Sequence, residues 1–92
     1  MNKVSVLVAV YNAAPFLPKC LESLTNQTFA NLQIVCVDDC STDDSLSVLN
    51  EYARQDDRIK VVERSVNGGI AKARNSGLAV ADGDFVCMVD AD

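Results

Sequence analysis

Val4 to Val10 reads VSVLVAV, a continuous apolar run of strand length and rich in valine. A central parallel strand buried on both faces needs that pattern. Asn12 to Pro15 breaks the run, and Leu17, Cys20, Leu21 and Leu24 then recur at helical spacing, so a helix with one apolar stripe follows. Pro18 fits such a helix only in its first turn, where its missing N–H is not required. Leu32 to Val37 (LQIVCV) repeats the buried-strand pattern, and Asp38-Asp39 closes it. Ser41 with Asp44 three residues on resembles a capping box, and Leu46, Leu49, Tyr52 and Ala53 give the next helix its apolar face, predicting a helix to about Arg54.

A short third strand is expected over Ile59 to Val62, then a polar loop through Gly68-Gly69. Ile70, Ala73, Gly77 and Leu78 mark a third helix whose small residues let it lie close to a sheet. Asp82-Gly83 signals a turn, with Asp82 and Asp84 read as turn chemistry, and Phe85 to Val89 (FVCMV) predicts a fourth buried strand. The order is βαβαβαβ. Helix alternating with buried strand implies an α/β fold with a mostly parallel sheet, right-handed crossovers and helices on both faces. Ligands of such sheets bind beyond the carboxyl ends of the strands, at a switch point in strand order. Tyr11-Asn12, Asp38-Asp39 and Asp90 to Asp92 all fall at such ends, so they are expected to line one crevice.

Composition narrows the class of partner. The 92 residues are 49% hydrophobic, enough for one globular domain and not for two. A formal charge of -5, with the basic residues scattered, argues against nucleic acid, so a phosphate ligand would need a bridging cation. Cys20, Cys36, Cys40 and Cys87 have no paired CxxC spacing, and Cys36 and Cys87 sit in apolar runs. Buried free thiols are expected, a usage that suits a reducing cytoplasm. No apolar run approaches the roughly 20 residues of a bilayer span, so no transmembrane segment is expected, and the β-branched run after Lys3 reads as strand in preference to a signal peptide.

Asp90-Ala91-Asp92 directly after an apolar strand can place hard oxygen ligands beside a diphosphate, and Mg²⁺ or Mn²⁺ is the cation such oxygens prefer. The plainer alternative is a solvated chain end. Asp38-Asp39 can accept a hydrogen bond from a base N–H or a ribose hydroxyl, or can begin a turn and favour the next helix dipole. Asp43 and Asp44 read as helix-start residues. Arg74, among Ala71, Ala73 and Gly77, can reach carboxylate or phosphate with its planar fork, or form a surface salt bridge. Asn67-Gly68-Gly69 lacks the G-x-G-x-x-G spacing of a dinucleotide loop and reads as a flexible turn.

These segments together, Val4-Ser5-Val6 running into Val10-Tyr11-Asn12, Leu21 to Phe29, Asp38 to Asp43, Asn67 to Gly77 and Asp90 to Asp92, resemble the family 2 glycosyltransferases, in the family's order and over essentially the whole chain. The resemblance implies the nucleotide-sugar-binding half of a GT-A fold, residues 1–92 forming one domain that ends after the Asp-x-Asp motif. It implies inverting transfer of a sugar from a nucleotide diphosphate donor, commonly UDP-linked, to an acceptor glycan or lipid-linked glycan, as in polysaccharide biosynthesis. By the family pattern Ala9, Val10 and Tyr11 pack along the base, and Asp39 pairs with its N–H beside Asp38. Arg74 holds the diphosphate side or its acidic neighbours, Asp90 lies near the ribose or diphosphate, and Asp92 ligates the metal. The family continues beyond this motif into an acceptor half carrying the general base, so this segment is expected to be inactive alone, and its parent can be membrane associated. Cys40 stands where the family often has Asn or Gly. The competing classes are a non-catalytic α/β interaction module, such as a phospho-receiver, and a dinucleotide-dependent oxidoreductase. The first lacks a late Lys here, and the second lacks a glycine fingerprint after strand one.

Overall fold

The computed structural model describes residues 2–26 and 31–91. Asp92 and residues 27–29 of the motif beginning at Leu21 lie outside the described residues. The elements follow in the expected order: β1 (Val4–Val10), α1 (Leu17–Thr25), β2 (Leu32–Asp39), α2 (Ser45–Gln55), β3 (Ile59–Arg64), α3 (Ile70–Val80) and β4 (Phe85–Asp90). All pairings are parallel, in the order β3-β2-β1-β4. The chain moves outward from β1 through β2 to β3 and then returns to the far side of β1, so the switch point lies between β1 and β4.

Side chains alternate across the sheet. Val6, Val8 and Val10 of β1 join Ile34 and Cys36 of β2 beneath Leu17 and Leu21 of α1 and Leu49 of α2. Leu7, Val35 and Val37 face the other way, against Ala73 of α3. Helices therefore cover both faces. Gly77 explains how close α3 lies: a Cβ there would stand 2.8 Å from Leu7 Cδ2 and 3.1 Å from Val37 Cγ2. Pro18 takes a first-turn position of α1, where no helical donor is lost.

Three expectations need correction. β4 is not buried: Phe85, Val86 and Met88 are exposed, because β4 is an edge strand over which no described helix packs closely, and only Val89 reaches the core on the α1 side. An apolar run shows what a strand could bury, and its neighbours in space decide whether it does. The cysteines divide accordingly: Cys36 is buried, Cys20 and Cys40 are half-buried, and Cys87 is exposed on β4, all of them free. Burial pushes the Cys36 thiol up to about 12, with Cys20 adding to the rise, so Cys36 behaves as a small apolar core residue. Finally, Ser41 and Asp44 form no capping box. Asp44 makes no side-chain cap, and Asp43 Oδ1 accepts the Ser45 N–H at 2.9 Å in its place. Ser41 Oγ instead accepts the Asn12 N–H at 3.0 Å.

The turn before β4 is tied to the start of β1. Lys3 N–H donates to Asp84 Oδ2 at 2.8 Å, Lys3 Nζ pairs with Asp82 at 2.7 Å, and Gly83 N–H donates to the buried Ser5 Oγ at 2.9 Å. These bonds fix the register of β4 on β1 at its amino end, which places Asp90 opposite Ala9 at the other.

Candidate functional site

The loops leaving β1 and β2 are stitched together. Asn12, at φ 49, turns the chain out of β1, and its Oδ1 accepts the N–H groups of Thr42 at 2.7 Å and Asp43 at 3.3 Å. Ala13 N–H donates to the buried Ser45 Oγ at 2.9 Å, and Ala14 N–H to Asp43 Oδ2 at 3.2 Å. Asp43 thus links the two loops and caps α2, a structural duty that agrees with its reading as a helix-start residue. Cys40 turns the chain out of β2 at φ 61, a left-handed conformation that Asn and Gly adopt more readily than Cys.

Beyond those strand ends opens a crevice of about 350 Å³, lined by Ala9, Val10 and Tyr11 of the β1 end, Asp39 of β2, Asp90 of β4, and Asn67, Gly69, Ile70 and Ala73 around the start of α3. That volume lies within the range of small-molecule sites. Tyr11 is half exposed there, and Val10 keeps its side chain in the core beneath α1. Of the residues expected at one site, the fold brings Ala9, Val10, Tyr11, Asp39 and Asp90 together.

Asp38 is not among them. Both aspartates belong to β2 itself, and alternation turns Asp38 toward the α1 and α2 face while Asp39 faces α3 and the crevice. Asp38 is buried, its Oδ2 accepts the Ser41 N–H at 3.3 Å, and its Oδ1 has no protein partner. The pair of adjacent carboxylates is therefore two single carboxylates on opposite sides of the sheet.

Asp39 is the most heavily engaged acid of the site. Its Oδ1 accepts Arg64 Nε–H at 2.9 Å and Gly68 N–H at 3.1 Å, and its Oδ2 accepts Gly69 N–H at 2.9 Å. Burial pushes this carboxyl up, and the two glycine amides with the Arg64 guanidinium outweigh that and hold it below the usual carboxylate range. Gly69 adopts φ 85, ψ 171 immediately before α3, a conformation essentially confined to glycine, and this aims its N–H at the acid. The glycine pair thus cradles a protein carboxylate. Arg64 also donates from Nη1 to Ser76 Oγ on α3 at 2.6 Å.

Arg64 was not singled out in the sequence because β3 was expected to end at Val62, whereas it runs to Arg64. The signal that could have found it is register: β3 lies parallel to β2, and Arg64 is the direct partner of Asp39. Arg74 does not line the crevice, but its Nη2 stands 3.7 Å from Asp90 Oδ1, with the two side chains 38% and 66% exposed. An ion pair that open to water contributes about 0–1 kcal/mol, which leaves both groups available to a ligand.

Among the described residues no three metal-ligating side chains converge, and Asp90 offers one exposed carboxylate at the crevice. A divalent ion held by one or two carboxylates and completed by substrate phosphates needs no more from the protein than that. Asp92, the expected metal ligand, lies outside the described residues. No described helix is long and apolar enough to cross a membrane.

Comparison with known proteins places this geometry. The chain is 39% identical over 89 residues to Glycosyltransferase GlyG of Streptococcus pneumoniae serotype 4, covering 97% of this chain and 30% of that protein. Among solved structures, S. aureus TarS 1-349 in complex with UDP-GlcNAc superposes with a TM-score of 0.90 at 40% identity, covering 98% of this chain and 26% of that one. The mannosyltransferase PcManGT from Pyrobaculum calidifontis, in complex with GDP-Man and Mn²⁺, gives a TM-score of 0.93 at 33% identity, covering 99% of this chain and 28% of that one. The chain thus spans less than a third of the length of each protein it matches here. The model of the family described as Glycosyl transferase family 2 matches residues 5–92, and with the parallel α/β sheet and its switch-point crevice this establishes that the chain belongs to glycosyltransferase family 2.

Proposed function

We propose that this chain is the donor-binding segment of a glycosyltransferase that takes a nucleoside diphosphate sugar, with UDP as its nucleotide, and passes the sugar to an acceptor hydroxyl with inversion. The observation that carries the reading is the crevice at the β1/β4 switch point, into which Tyr11, Asp39 and Asp90 are brought from three separate strand ends. The uridine nucleotide in TarS and the Mn²⁺ in PcManGT support the choice of ligands.

Tyr11 presents a ring beside Ala9 on which a base can lie, and Asp39 presents a fixed carboxylate to a base N–H. Asp90, with Arg74 at its side, stands toward the diphosphate. Asp90 and Asp92 would hold a divalent cation, which would supply Lewis-acid neutralisation of charge on a diphosphate leaving group. Inversion requires the acceptor oxygen to attack the anomeric carbon from the side opposite that leaving group, while a base removes its proton. We assign that base and the acceptor site to sequence outside residues 1–92, and this segment alone transfers no sugar.

Calorimetric titration of UDP into the full-length protein, with and without Mn²⁺, tests the reading. Tighter binding with the ion is expected, and identical isotherms would remove the metal from the site. Failure to bind UDP under either condition would remove the donor site altogether.

A further inference from the structure

An ionised carboxylate has about four acceptor positions, two on each oxygen. In Asp39, Oδ1 is filled by Arg64 Nε–H at 2.9 Å and Gly68 N–H at 3.1 Å. Oδ2 takes Gly69 N–H at 2.9 Å and only a share of the Gly68 N–H at 3.3 Å, so one position on Oδ2 remains. Arg64 is held in place from both ends. Its backbone is the register partner of Asp39, its Nη1 is bound to Ser76 Oγ at 2.6 Å, and Gly68 packs so tightly beside it that an added Cβ would stand 2.7 Å from Nη2. The Asp39 side chain is 5% exposed, which leaves a narrow approach to the remaining oxygen.

The pairing edges of the bases differ in what they ask of such a group. Guanine offers two donors side by side, a ring N–H and an exocyclic amine, and satisfies both only on a carboxylate with both oxygens free. Uracil offers one N–H between two carbonyls and needs one oxygen. Adenine and cytosine set an amine beside a bare ring nitrogen, whose lone pair faces the carboxylate unfavourably. TarS with UDP-GlcNAc and PcManGT with GDP-Man share this fold, so the backbone alone does not choose the base.

We infer that Arg64 selects the nucleobase: by taking the position on Oδ1 of Asp39 that Gly68 N–H leaves, it reduces the carboxylate to a single acceptor position, so the crevice takes the one-donor edge of uracil and rejects the two-donor edge of guanine. Arg64 is a specificity-determining residue that acts through Asp39 and touches no ligand itself. The inference rests on the donor-site reading above.

The test compares UDP, GDP and IDP binding to the full-length protein by calorimetry with Mn²⁺ present. IDP has the purine bulk of GDP and lacks its exocyclic amine, so the pair isolates the second donor from size. The wild type is expected to bind UDP at least about tenfold more tightly than GDP, the scale of one hydrogen bond to a charged group, and IDP at least as tightly as GDP. In Arg64→Met, one acceptor position on Oδ1 is freed while Gly68 N–H keeps the other, so GDP should overtake IDP and the UDP preference over GDP should shrink to about threefold or less. A role confined to stability would weaken all three nucleotides together and leave their order unchanged, and that result overturns the inference. So does a wild type that prefers GDP to IDP, a measurement that stands even if Arg64→Met does not fold. A wild type that binds no nucleotide overturns the donor-site reading and this inference with it, whereas tight UDP binding with ratios untouched by Arg64→Met overturns the inference alone.

Discussion

Asp39 and Arg64 are direct partners across the adjacent parallel strands β2 and β3, and their side chains meet at 2.9 Å on the α3 side of the sheet. One residue of sequence in either strand would separate them, because neighbouring side chains along a strand point to opposite faces. The contact ties the floor of the crevice to its far strand, and through Ser76 to α3.

The first prediction concerns pH. Asp39 is held below the usual carboxylate range in the fold, while an unfolded carboxyl titrates near about pH 4. A depressed acid binds its proton more weakly when folded, so its stabilisation is complete above about pH 4 and is lost as pH falls through the lower folded value. Asp39→Asn gives up that contribution at every pH. Chemical denaturation should show the variant less stable by about 1–3 kcal/mol at pH 7, with the gap narrowing at pH 3. A gap of constant size would mean that the charge of Asp39 contributes nothing.

Gly69 supplies the second. At φ 85, ψ 171 its backbone is strained for any side chain, yet an added Cβ would meet nothing within 4 Å. The cost of Gly69→Ala is therefore conformational, about 1–3 kcal/mol, and relief of that strain withdraws an N–H from Asp39. Urea denaturation should place the variant below the wild type by this amount. Equal midpoints would show that the turn tolerates a side chain.

Cys40 supplies the third, with the opposite sign. It leaves β2 at φ 61, which costs a non-glycine residue roughly 1–2 kcal/mol, less for Asn. Cys40→Asn should raise the thermal midpoint, a gain of about 0.5–1 kcal/mol. The side chain gives up only a weak contact, Cys40 Sγ–H to the Ser65 carbonyl at 3.4 Å. A lower midpoint would show that this contact outweighs the backbone relief.

The central strands were legible because VSVLVAV and LQIVCV must bury both faces, and local composition alone reveals that. The same rule misread FVCMV: it is as apolar as β1, but among the described strands β1 and β2 are flanked on both sides while β4 is flanked on one. Edge position is a property of the assembled sheet. In the site, Tyr11, Asp39 and Asp90 could be found because strand ends gather ligands in parallel sheets. Asp38 was grouped with Asp39 on proximity in sequence, which in a strand guarantees opposite faces. Arg64 went unseen because its partner lies 25 residues away and is met only through strand register.

The opposed orientation of Asp38 and Asp39 also makes this stretch of β2 intolerant of changes in length. Inserting one residue between Ile34 and Val35 would exchange the faces of the two acids, carrying a loop-anchoring carboxylate into the hollow and turning the crevice-facing one beneath α2, with Val35 and Cys36 changing sides as well. Substitutions here can be graded in their effects, but indels would invert both the packing and the chemistry of the strand at once.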